Sequence, residues 1–261
     1  MENVIETVKN QLTFENVFVV AMKTPGVKIN REQFLRKELN KYCSEDIISE
    51  AIRTNPAKAG ISRKIIDKIS IAIINLETTK VTGISLAASL PGGGAAIAAA
   101  EADITSYFAF VFRTVQELAY LYGFEEFDLN GDEVNAETMN MVLLFLGVMF
   151  GVQGATTTLR KFADVLAKNV AKKLARNALI KGTIYPIIKK VASSVGLRMT
   201  KQIFADSLAS MVPIAGGVLS GGLTLAMFRP CCMKLRKNLR MYNLSDPDFY
   251  LLETEQYMDK V

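Results

Sequence analysis

The sequence of 261 residues contains no histidine, no tryptophan and only three cysteines. Histidine is the commonest general base in enzymes, so its absence excludes a Ser-His-Asp triad and a Cys-His nucleophile. Without histidine, three cysteines are too few for a tetrahedral zinc site built from Cys and His alone. We therefore expect neither a metal nor a cofactor, and a function outside most familiar enzyme classes.

The three cysteines, Cys43 and the adjacent pair Cys231 and Cys232, do not form a disulfide framework, because their number is odd and neighbours bridge poorly. The N-terminal stretch MENVIETVKNQLTFENV lacks the basic and apolar regions of a signal peptide. We therefore expect a reduced, cytoplasmic protein.

The net charge of +5 is unevenly distributed. Residues 81–159 carry nine acidic side chains and a single basic one, Arg113, whereas residues 160–201 carry eleven Lys or Arg and a single acid, Asp164. The second segment is called the basic block below. Such alternation predicts either that the two segments face each other or that the basic block meets an external anion.

Three uncharged windows are long enough to cross a bilayer on length alone: Val81–Ala100, Thr138–Leu159 and Ser207–Phe228. Proline and glycine interrupt the first and third, and the strongly apolar part of the second is short. Short apolar runs are typical of buried helices, so we expect helices inside a non-integral protein. Insertion stays open, because basic residues follow the second and third windows.

Apolar residues recur with the period of a helix along the chain, and no set of alternating strands is present. The sequence therefore predicts an all-α, multi-helix bundle. Helix boundaries are marked by Asn30, Ser44 and Ser62 as N-terminal caps, by Gly123 after a helix, and by Asp246-Pro247 before one. The expected helices are 3–23, 31–42, 44–54, 62–89, 94–122, 135–153, 156–181, 184–195, 198–211, 216–240 and 247–258.

Two similar glycine-rich segments, residues 89–96 and 211–218, each separate a helix from a helix rich in small residues. Both are predicted to be tight helical hairpins. The first segment is not a P-loop, because no Lys-Ser/Thr pair follows its last glycine. It is not a dinucleotide-binding GxGxxG motif either, because the third glycine is missing. Small residues spaced four apart, such as Gly147 and Gly151, predict close helix packing. The expected turn residues are Pro91, Gly92, Gly93, Gly94, Pro213, Gly216 and Gly217.

A polar seam follows one side of helix 94–122, where Arg113 and Glu117 are spaced to pair. Its functional interpretation is the lining of a cavity or interface. The structural interpretation is a network that joins this helix to Lys and Arg of the basic block. The residues of the seam are Asp103, Ser106, Tyr107, Arg113 and Glu117.

The basic block has the pattern of helices that lie on an anionic membrane surface, with Phe162 and Leu166 opening an apolar stripe beside lysines. Lipid is favoured over nucleic acid, because no aromatics interleave with the basic residues and no reader motif is present. The candidate lipid-binding residues are Lys161, Lys168, Lys172, Lys173, Arg176, Lys189 and Lys190.

Several motifs, taken in order, resemble the EcsC family of bacterial proteins. The resemblance covers about residues 20–240 and implies an α-helical fold, membrane association and a possible ABC-transporter partner. It implies no activity and no catalytic residues. The motifs are TPGVKINREQFLRKEL at 24–39, NPAKAGIS at 55–62, SLPGGGAAIAAAEADITSYF at 89–108, RTVQELAYLYGF at 113–124 and MVPIAGGVLSGG at 211–222.

We therefore expect one EcsC-like domain over residues 1–261, with an N-terminal arm to residue 60, a hairpin core over 61–240 and a C-terminal tail helix. Its expected function is that of a non-enzymatic accessory or binding protein at the inner face of the membrane. The alternatives are a soluble carrier of an apolar ligand or lipid, and a protein whose hairpins insert into membranes. An enzyme that works through Asp103 or Glu117 ranks last.

Overall fold

The computed structural model describes residues 20–88, 95–129, 136–168, 190–191 and 216–258. Within these ranges the protein is all-helical, as predicted, and contains no strand. Residues 20–23 and 190–191 are also helical. The longer elements are α1 (Arg31–Leu39), α2 (Glu45–Arg53), α3 (Arg63–Ala88), α4 (Ala95–Leu121), α5 (Ala136–Phe150), α6 (Ala155–Ala167), α7 (Gly216–Leu239), a 3-10 turn (Asn243–Ser245) and α8 (Pro247–Met258).

The helices begin and end where the capping residues predict. The Asn30 side chain accepts a hydrogen bond from the Gln33 N–H at 2.9 Å and so caps α1. Gly123 follows α4 with a φ of 99°, a conformation that glycine adopts without strain. At α8, Asp246 accepts from the Asp248 N–H at 3.1 Å while Pro247 occupies the first helical position.

One predicted capping bond and one predicted boundary differ from the structure. Ser44 lies at the N-cap of α2, but its side chain makes no capping hydrogen bond. The helix expected to reach residue 181 ends at Ala167, because the Lys168 N–H is shared between the carbonyls of Asp164 and Leu166 and its ψ of 8° leaves the helical region. Most of helices 3–23, 184–195 and 198–211 lies outside the described residues.

Three helices form the centre of the protein: α3 packs along α7 and α4, and α7 also contacts α4 and α5. The pair α5 and α6 packs as a hairpin, and α1 rests on α2 and α4. The buried apolar side chains make one cluster that runs from Ala21 to Tyr250. Burial of this cluster is the main stabilising contribution to the bundle.

Close packing at Gly147 confirms the prediction from its small-residue spacing. A Cβ placed on Gly147 would lie 2.6 Å from Cγ2 of Val191 and 2.9 Å from Cβ of Ala155. At Gly151, which has a φ of 72°, an added Cβ would overlap the Lys234 ammonium. The end of α5 therefore fits closely against α6, residues 190–191 and α7.

Two polar junctions connect elements that are distant in the sequence. Arg31 is buried and donates to the carbonyls of Ala51, Ile52, Thr54 and Phe124 at 2.7–3.3 Å, which joins the start of α1 to the end of α2 and to the chain after α4. Asp67 in α3 accepts from Arg236 at 2.7 Å and from Arg240 at 2.9 Å, which joins α3 to the end of α7.

In the described part of the chain, none of the helices is both long enough and apolar enough to cross a bilayer.

Candidate functional site

The polar seam predicted on helix 94–122 lies on α4, and two of its members meet a residue that the sequence analysis did not single out. Glu77 on α3 is 1% exposed, and its Oε2 lies 3.5 Å from Nε of Arg113. Nη2 of Arg113 lies 3.4 Å from Oε1 of Glu117, which confirms the predicted pairing of Arg113 and Glu117. We call Glu77, Arg113 and Glu117 the buried cluster.

The charges of the buried cluster are incompletely paired. Oε1 of Glu77 accepts from the Lys80 ammonium at 2.7 Å, but Oε2 of Glu77 and Oε2 of Glu117 are buried without a hydrogen-bond partner among the described residues. Removal of carboxylates from water without full compensation favours their neutral form. Burial first, and then the nearby charge of Glu77, raise the pKa of Glu117 from its ordinary 4.5 to about 8.

The buried cluster also contacts the loop of residues 24–29. Nη1 of Arg113 donates to the carbonyl of Gly26, which follows Pro25 in a tight turn closed by the Val27 N–H on the Thr24 carbonyl at 3.1 Å. Gly26 has a φ of 80°, the conformation that such a turn requires after proline. The loop is therefore docked on α4 by the same guanidinium that approaches both carboxylates.

Gln116 makes a second set of contacts with this loop. Its Oε1 accepts from the Ile29 N–H at 3.0 Å, and its Nε2 donates to the Val27 carbonyl at 2.8 Å. Two adjacent turns of α4 thus hold residues 26–29. The sequence analysis did not predict this role, because glutamine within an apolar helix carries no signal that specifies a distant backbone partner.

Glu77 could have been found from its register on α3. Residues 66, 69, 70, 73, 74, 77, 78, 81 and 85 form the buried face of this helix, and apart from Glu77 that face is apolar or carries a hydroxyl. A single charge on an otherwise buried face requires a partner. Its described partners are Lys80 and Arg113, and none belongs to the basic block.

The other members of the seam are placed differently. Ser106 and Tyr107 are half-buried on α4, and the Tyr107 ring meets Phe228 of α7 edge-on at 5.8 Å. Asp103 lies on the described backbone of α4, but its side chain is outside the described residues. Of the expected seam, Arg113 and Glu117 therefore form ion pairs in the structure, and Glu77 from α3 joins them.

Two lysines from different parts of the chain, Lys190 of the basic block and Lys234 of α7, contact the loop between α5 and α6. Nζ of Lys190 donates to Oε1 of Gln153 at 3.3 Å, and the Lys234 ammonium of α7 lies over Gly151. Arg160 and Lys161 are exposed on α6, which starts directly after this loop. We call Arg160, Lys161, Lys190 and Lys234 the basic surface. Arg160 and Lys234 were not among the predicted lipid-binding residues.

The remaining predicted lipid-binding residues divide between described and undescribed positions. Lys168 is exposed at the end of α6. Lys172, Lys173, Arg176 and Lys189 lie outside the described residues, as do the expected turn residues Pro91, Gly92, Gly93, Gly94 and Pro213. Gly216 and Gly217 form the beginning of α7.

Among the described residues, no group of three or more Cys, Asp or Glu side chains is arranged to hold a metal ion. The acidic pair of the buried cluster is instead approached by Arg113 and Lys80. The cysteine beside it, Cys232, is buried, and burial raises the pKa of its thiol well above the ordinary value. A thiol in this state is a poor nucleophile.

No family model matches this chain, and no curated protein or solved structure matches it either. The resemblance to the EcsC family therefore stays a prediction that rests on the quoted motifs.

Proposed function

We propose that this protein is a non-enzymatic accessory or binding protein that attaches peripherally to an anionic membrane through the basic surface. In this proposal it works at the cytoplasmic face, in keeping with its EcsC-like motifs, and an ABC transporter is a candidate partner there. The observation that carries the proposal is that all four cations of the basic surface are exposed and that none of them forms an ion pair within the described residues.

The basic side chains near α1 and α2 and those of the basic surface differ in their pairing. Arg36 on α1, Lys41 between the two helices and Arg53 on α2 each contact a nearby glutamate. Among the described residues, no carboxylate pairs with any member of the basic surface. Unneutralised, clustered positive charge attracts an external anion, and its effect extends to about a Debye length of 8–10 Å.

A lipid headgroup layer suits this surface better than a nucleic acid. The members of the basic surface come from three separate parts of the chain, and two of them, Lys190 and Lys234, contact the glycine-containing loop between α5 and α6. The apolar side chain of Met241, 53% exposed, follows α7 close by in the sequence. Aromatic rings for base stacking are not interleaved with these basic residues. A dispersed layer of phosphates needs only charge, and each Lys or Arg near it contributes about 1 kcal/mol.

The proposal is tested by flotation of the purified protein with vesicles of phosphatidylcholine that contain increasing phosphatidylserine. The test variant is Lys190→Glu/Lys234→Glu, and the matched control is Lys58→Glu/Lys64→Glu, whose positions are exposed and lie outside the basic surface. Each Lys→Glu change replaces a positive charge with a negative one and lowers the net charge by two, so both variants carry +1 instead of +5.

We expect the wild type and the control to float with anionic vesicles and the test variant to partition at least about 30-fold more weakly. High salt should release the bound protein, because peripheral charge contacts are screened. Equal loss in both variants would reduce the effect to net charge and overturn the assignment to this surface. Flotation that persists in high salt would support insertion instead, and no flotation with any vesicle would overturn the membrane proposal.

A further inference from the structure

The buried cluster takes no part in the proposed membrane contact, and its two carboxylates are incompletely paired. The Arg113 guanidinium approaches both carboxylates, but its Nη1 donates to the Gly26 carbonyl. Glu117 is left with one contact of 3.4 Å to Arg113, and Glu77 with one of 3.5 Å to Arg113 and one of 2.7 Å to Lys80. Among the described residues, the two buried carboxylates therefore share the Arg113 guanidinium, and Glu77 also contacts the half-exposed ammonium of Lys80.

We propose that Glu117 holds a proton in the folded protein, and that this proton keeps residues 24–29 docked on α4 through Arg113. The proton neutralises a buried carboxylate whose charge Arg113 and Lys80 pair only in part. With Glu117 neutral, the guanidinium is free to serve the Gly26 carbonyl and Glu77.

The charged and titratable groups around the pair come from every helix packed against it. Lys80 faces it from α3 and Arg113 from α4 itself, while Glu38 of α1 adds a further negative charge. Cys232 of α7 lies close enough for Glu77 and Glu117 to raise the pKa of its thiol, after burial and Cys231. Glu117 thus lies near a second buried carboxylate, and its own Oε2 has no hydrogen-bond partner among the described residues, which favours the protonated form of Glu117.

Loss of the proton changes what Arg113 prefers to bind. An ionised Glu117 is a stronger acceptor than a backbone carbonyl, because charge-assisted hydrogen bonds are about twice as strong as neutral ones. The guanidinium would turn from the Gly26 carbonyl toward Glu117, and the proton would leave to solvent. We expect the loop, which then lacks the hydrogen bond from Arg113 to Gly26, to lift from α4, so deprotonation and undocking are coupled.

Trypsin cleavage after Lys28 reports on this docking, because Lys28 lies within the loop and its side chain is exposed. The cleavage rate of the full chain is measured at pH 7 and pH 9 and divided by the rate of a free peptide that carries residues 22–34. We expect the normalised rate to rise by up to about tenfold in the wild type, since a site with a pKa of about 8 loses most of its proton over this range.

Glu117→Gln mimics the protonated state and is expected to abolish this rise, whereas Glu50→Gln, an exposed glutamate of α2, should leave it unchanged. The same pH response in Glu117→Gln and wild type would overturn the proposal. So would a wild-type rate that does not depend on pH. A measurement that needs no variant is the Cδ chemical shift of the glutamates by NMR: one buried carboxyl titrating near pH 8 supports the proposal, and titration of all of them near 4.5 overturns it.

Discussion

Glu117 makes the stability of the folded chain depend on pH in an unusual direction. Burial and then Glu77 raise its pKa from 4.5 to about 8, so the folded state keeps a proton that the unfolded chain releases. The resulting stabilisation is complete below pH 4.5 and is lost as the pH rises through 8.

We therefore expect the free energy of unfolding contributed by this group to fall by about 1.4 kcal/mol per pH unit between pH 5 and pH 8. Urea unfolding followed by circular dichroism at pH 5, 7 and 9 measures the slope. Glu117→Gln should flatten it and should be more stable than the wild type at pH 9. A variant with an unchanged slope would mean that the carboxyl is ionised in the folded protein at neutral pH.

Gly147 and Gly83 form a matched pair of helical glycines with opposite surroundings. A Cβ on Gly147 would meet Val191 at 2.6 Å, whereas nothing lies within 4 Å of a Cβ on Gly83. Gly147→Ala should therefore destabilise the protein by about 1–3 kcal/mol through overpacking. Gly83→Ala should stabilise it by about 0.5–1 kcal/mol through helix propensity. Thermal unfolding of the two variants measures the contrast, and shifts of the same sign would contradict it.

At the scale of the helices, the start of α1 depends on the guanidinium of Arg31. Replacing Arg31 with Met keeps most of the apolar stem but leaves the carbonyls of Ala51, Ile52 and Phe124 without this donor. We expect a loss of about 3 kcal/mol or more in the free energy of unfolding, measured in urea. Arg53→Ala, which removes an exposed pair with Glu50, should change it by less than about 1 kcal/mol.

The helices themselves were largely predictable, because periodicity and capping are local properties of the sequence. Asn30, Gly123 and Pro247 each fix a boundary through groups only a few residues away. The end of α6 at Ala167 was not predictable, since the apolar stripe continues beyond it and nothing in the sequence marks the turn at Lys168. Local pattern thus specifies where helices form better than where a long one stops.

The buried cluster was only half predictable for a related reason. Arg113 and Glu117 lie one turn apart on one helix, so their pairing follows from spacing alone. Their contact with Glu77 depends on how α3 crosses α4, and that with Gly26 depends on a loop 87 residues away. Such contacts are set by the packing of whole elements, which periodicity does not specify.

At the scale of the molecule, Asp67 joins α3 to the C-terminal part of the chain. It accepts from Arg236 and Arg240, and Arg236 also donates to Ser70 at 2.8 Å. Asp67→Ala leaves two arginines without their carboxylate and should lower the free energy of unfolding by about 2 kcal/mol. Amide exchange should rise first in residues 236–245 rather than throughout the bundle. A uniform rise, or no change in exchange, would contradict a role as the junction of α3 and α7.

The two polar junctions should respond differently to salt. Asp67 with Arg236 and Arg240 is a partly exposed set of opposite charges, which dissolved ions screen. The hydrogen bonds of buried Arg31 go to backbone carbonyls, which carry no net charge. Added salt should therefore loosen the contact of α3 with the end of α7 first, while α1, α2 and the chain after α4 stay joined through Arg31.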